Sequence, residues 1–89
     1  MSDYSKHKKE VAGLNMTELS KSIVDLHYES LAELFQLLSK DFMEVSSNDY
    51  KLGNTNVAYE LNSIGWGFFK LSPHADKIWQ ISKPFMEQK

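Results

Sequence analysis

At 89 residues with no cysteine, the chain is one small domain that must hold together without disulfides, thiolate metal sites or thiol chemistry. Apolar residues make up 42% and charged residues 25%, the balance of a folding chain and not of a disordered one. The net charge of -2 sets twelve acids against ten basic residues, all of them lysines, so the forked arginine contacts to phosphate and guanine are missing and nucleic acid is a disfavoured partner.

Residues 1–13 mix charge and polarity without a sustained period and are expected to form a mobile N-terminal arm, leaving 14–89 as a single helical domain. The KHKK cluster in this arm could touch an acidic partner, but a solvated tail is the plainer expectation. No apolar stretch follows the charges, as a secretory leader would require. The longest run without a charged or strongly polar residue is IGWGFF, far short of the roughly 20 residues that cross a bilayer. A cytoplasmic location without membrane contact is therefore expected.

Helix-start signals coincide at LNMTEL: Asn15 can cap, Glu18 stands three residues on, and Leu14 can pack against Leu19. From Val24 the apolar positions run Tyr28, Leu31, Phe35, Leu38, Phe42 and Val45, spaced alternately by three and four, which is a heptad-like seam. Ile23, Leu34 and Leu37 widen the stripe. One helix over 16–45 would be about 45 Å long, well beyond the size of so small a domain. Either it breaks near His27 to Ser30, where Ser30 and Glu33 resemble a second capping box, or a long N-terminal helix protrudes under cover of another subunit; the long helix is the expectation.

The segment from Ser46 to Asn54 is rich in turn-forming side chains. A second helix is expected from Thr55 or Asn56, with Val57, Leu61, Ile64, Phe68 and Leu71 as its seam. Ser72 then reads as an N-cap and Pro73 as a first helical residue, so a third helix should run to Pro84. Gly65 and Gly67 alternate with Ile64, Trp66 and Phe68 in a strand-like way, but two glycines are poor in a strand interior and the upstream spacing is helical. The expected fold is all-α: a small bundle of three helices, with a fourth conceivable, and a dimer.

At about 100° per residue the Val57 to Leu71 seam defines one side of this helix, while Tyr59, Trp66 and Phe69 fall near the opposite side. Three such rings can bury about 150 to 250 Å² each, which is a large patch to leave in water. Gly65 and Gly67 each cost about 1 kcal/mol in a helix interior, which suggests a close backbone approach beside Trp66. Tyr59, Trp66 and Phe69, extended by Trp79, are the candidate partner-binding residues, with a second copy as the simplest partner. The plainer alternative is that another helix of the same chain covers them.

Catalytic and metal signatures are missing. None of His7, His27 and His74 has another histidine at helical spacing, and His27-Tyr28-Glu29 matches half of a deaminase motif whose cysteines are absent. Asp25, Glu29 and Glu33 lie four apart and read best as a solvated acidic face. No cofactor, metal or enzyme activity is expected. Two functions compete: a helical protein-protein interaction module acting as regulator, inhibitor or small subunit through its aromatic face, and a helix-turn-helix DNA binder using residues 57–83. In the second, His74, Lys77, Gln80 and Lys83 would face a groove. The seven acids against two lysines between residues 18 and 49 argue against DNA.

Overall fold

The computed structural model describes residues 7–86, which form α1 (Met16–Val24), α2 (Tyr28–Lys51) and α3 (Thr55–Met86). Among the described residues there is no strand, only an isolated bridge between Val11 and Leu14. Of the arm expected over 1–13, residues 1–6 lie outside the described residues. α1 starts as its sequence dictates. The Asn15 side chain accepts from the Glu18 amide at 2.8 Å, and the Glu18 carboxylate accepts from the Asn15 amide at 3.1 Å, a reciprocal capping box.

The expected long N-terminal helix over 16–45 does not form. The chain breaks at residues 25–27, and α2 restarts with His27 as N-cap, its Nδ1 accepting from the Glu29 amide at 3.2 Å. The proposed box at Ser30 and Glu33 therefore lies inside α2, three residues late. The opposite correction applies to the C-terminal half: the two helices expected on either side of Ser72-Pro73 are one helix of 32 residues with Pro73 and Pro84 inside it. The long helix of this protein is its last. Between α2 and α3, Gly53 takes φ of +86°, a left-handed conformation that closes α2 without the steric cost a side chain would bring.

α2 and α3 run antiparallel along a line of small residues. Ala32, Ser39 and Ser46 on α2, and Ala58, Gly65 and Ser72 on α3, are all buried and recur every seven positions. Two of the three buried serines bond across this line. Ser46 Oγ donates to the Ala58 carbonyl at 2.6 Å, and Ser72 Oγ donates to the Ala32 carbonyl at 3.2 Å. Small side chains let the two helices approach closely. At Gly65 the approach is tightest: a Cβ there would stand 2.9 Å from Met43 Cγ and 3.1 Å from the Ser39 carbonyl oxygen.

Bundle packing of α2 on α3 is thus the core, and it is a thin one. Among the described residues no large side chain is fully buried. The molecule measures 53 × 27 × 13 Å, and its thinnest dimension is about one helix diameter. One layer of helices is all it contains. Its radius of gyration of 15.9 Å compares with about 12 Å for a globular chain of this length. α1 buries none of its residues and covers neither side of the layer.

Candidate functional site

Because the small residues occupy the line of contact, everything beside that line points out of the layer on one side or the other. The seams read from the sequence, Tyr28 to Val45 on α2 and Val57 to Leu71 on α3, lie together on one side. Phe68 of α3 stacks between Phe35 and Phe42 of α2, with ring centroids 5.7 and 5.8 Å apart. These three rings are half-buried, while Val45, Ile64, Leu71 and Ile78 are each more than 40% exposed. The seams flank the contact line and form a broad apolar face.

Tyr59, Trp66 and Phe69 project from the other side of α3, with exposures of 70%, 48% and 55%. Trp66 and Phe69 meet edge to face, centroids 5.4 Å apart and planes at 77°, an arrangement that satisfies the ring quadrupoles. Tyr59, one heptad before Trp66, lines an open groove of about 450 Å³ between α2 and α3, together with Met43, Tyr50 and Asn62. Polar Asn62 and Ser47 beside these rings give the patch a wet rim.

Trp79 lies elsewhere. It is 7% exposed, in the contact line one heptad after Ser72, with its ring 4.4 Å from that of His27 and Lys83 Nζ 5.8 Å from its centroid. It seals the open end of the hairpin, apart from the Trp66 patch. The close approach expected of the two glycines also divides: Gly65 meets α2, whereas a Cβ at Gly67 would touch nothing within 4 Å.

The turn that a helix-turn-helix needs at Lys70 to Ser72 is absent, since these residues are interior to α3. His74, Lys77, Gln80 and Lys83 are exposed on that same helix, and Asp25, in the break before α2, and Glu29 and Glu33 of α2 are exposed as well. Among the described residues no group of three or more histidine, aspartate or glutamate side chains could hold a metal ion, and no helix is long and apolar enough to cross a membrane. The small-residue heptads were visible in the sequence but carried no hydrophobic signal, so apolar spacing pointed one position to the side of the true contact. Comparison with protein-family models, with curated proteins and with solved structures finds no match, so geometry alone carries the functional conclusion.

Proposed function

We propose that this chain is a non-enzymatic, cytoplasmic protein-interaction module, a regulator, inhibitor or small subunit, that recognises a protein through Tyr59, Trp66 and Phe69. The supporting observation is the exposure of three rings on one side of a single-layer hairpin that no other helix among the described residues covers. Aromatic anchors on a rigid helix with a polar rim have the make-up of an interface hot spot. The chain has no arginine, so the forked contacts by which a phosphate backbone is usually held are missing beside the patch.

The test is a paired capture from the source cell, with the intact chain and Trp66→Ala as baits. A specific protein held by the intact chain should be lost from the variant, whose affinity falls by about 2 kcal/mol or more while its helical circular dichroism is unchanged. Identical captures with both baits would refute the proposal.

A further inference from the structure

On the opposite side of the layer, Ile64, Gly67, Phe68 and Leu71 line an apolar hollow in the outward surface of α3. These are positions i, i+3, i+4 and i+7 of one helix, the four-residue hole that receives a side chain from a neighbouring helix in knobs-into-holes packing. Apart from its two chain neighbours and the nearby backbone of α3, nothing among the described residues lies within 4 Å of where a Cβ of Gly67 would be. Phe35, Leu38 and Phe42, on the same face, have the size and spacing of the knobs that such holes take.

We propose that a second copy of this chain covers the broad apolar face, related by a two-fold axis, so that two single-layer hairpins close into a four-helix bundle with Gly67 at the floor of the receiving hole. Charge favours a copy: no seam position from Tyr28 to Val45 or from Val57 to Ile78 holds an acid, a lysine or a histidine. A face brought against itself by a two-fold axis then opposes no like charges. Period favours it too, since alternation of three and four matches the supercoil that helices with such seams form with one another. The chain exposes 7194 Å², against about 5,400 Å² for a globular monomer of its 10.3 kDa mass, so surface that a globular fold would bury is left outside. This pairing leaves the Trp66 side free and goes beyond the function proposed for it.

Sedimentation equilibrium on the full chain tests the pairing. The expected mass is twice 10.3 kDa, and the midpoint of thermal unfolding should rise with protein concentration. A Cβ at Gly67 meets no side chain of the lone chain, so Gly67→Leu, which fills the hole from within, should keep its helicity yet raise the dissociation constant about tenfold or more, a loss of roughly 1.4 kcal/mol per decade. Trp66→Ala should leave the mass unchanged. A single-chain mass with a concentration-independent midpoint would overturn the proposal. So would a pair that survives Gly67→Leu but dissolves with Trp66→Ala, or a single chain that gains mass only on added phosphatidylcholine vesicles or an unrelated protein.

Discussion

Gly65 and Gly67 stand two residues apart on α3, yet only the first is pinned by a neighbour. The Ser39 carbonyl cannot retreat without moving α2, so Gly65→Leu should lose about 2 to 3 kcal/mol in urea unfolding, the overpacking cost outweighing the gain in helix propensity. Trp66→Ala, at an exposed position, should change stability by no more than about 0.5 kcal/mol in the same experiment. The two tryptophans differ in the same sense. With Trp66 replaced by Phe the remaining indole, Trp79, should resist acrylamide quenching, and with Trp79 replaced by Phe the remaining indole should be readily quenched; equal quenching of both would contradict the burial of Trp79.

At the scale of the element, one side chain explains both helix boundaries that differ from expectation. The contact line runs through Ala58, Gly65 and Ser72 and reaches Trp79 one heptad later. An indole cannot fit where only alanine, serine and glycine separate the two backbones, so α2 begins just past the place where Trp79 enters, with His27 against the indole as its N-cap. Ending α3 at Ser72 would throw Ala75 and Trp79 out of that line. The Ser72 hydroxyl therefore serves the Ala32 carbonyl and caps nothing, and Pro73 is tolerated inside the helix on its exposed side. Trp79→Ala should cost about 3 to 5 kcal/mol, and His27→Ala, which removes a cap and a ring contact, about 0.5 to 2. Pro73→Ala should stabilise by up to about 3 kcal/mol, because it restores a backbone donor to the carbonyl of Phe69; a loss of stability would mean that the proline shapes α3 to admit Trp79.

For the molecule as a whole, the decisive quantity is thickness. A layer 13 Å deep has two sides and no interior beyond the line between its helices, so its apolar residues are shared between two outward faces. α1 adds little to this, with no buried residue of its own. A chain shortened to begin at Leu26 should keep the α2–α3 hairpin, with circular dichroism per residue close to that of the full chain. Loss of that signal would show that α1 braces the hairpin despite its exposure.

Some of this was settled by the chain itself. The capping box at Asn15 and Glu18 and the helical periods of Tyr28–Val45 and Val57–Leu71 needed only neighbours three or four residues away, so local spacing specified helix there, whereas Ser46 to Lys51, expected as turn, continue α2. Which face of each helix would be covered was a different matter. Alanine, serine and glycine contribute almost nothing to a hydrophobic pattern, yet at spacing seven they allow two backbones to approach more closely than leucine or phenylalanine could, and that approach chose the contact line. The bulky seams were left beside it. Whether Ser72-Pro73 would begin a helix or lie within one, and where α2 would begin, depended on a carbonyl and an indole brought from distant parts of the sequence, and only the packed hairpin could bring them there.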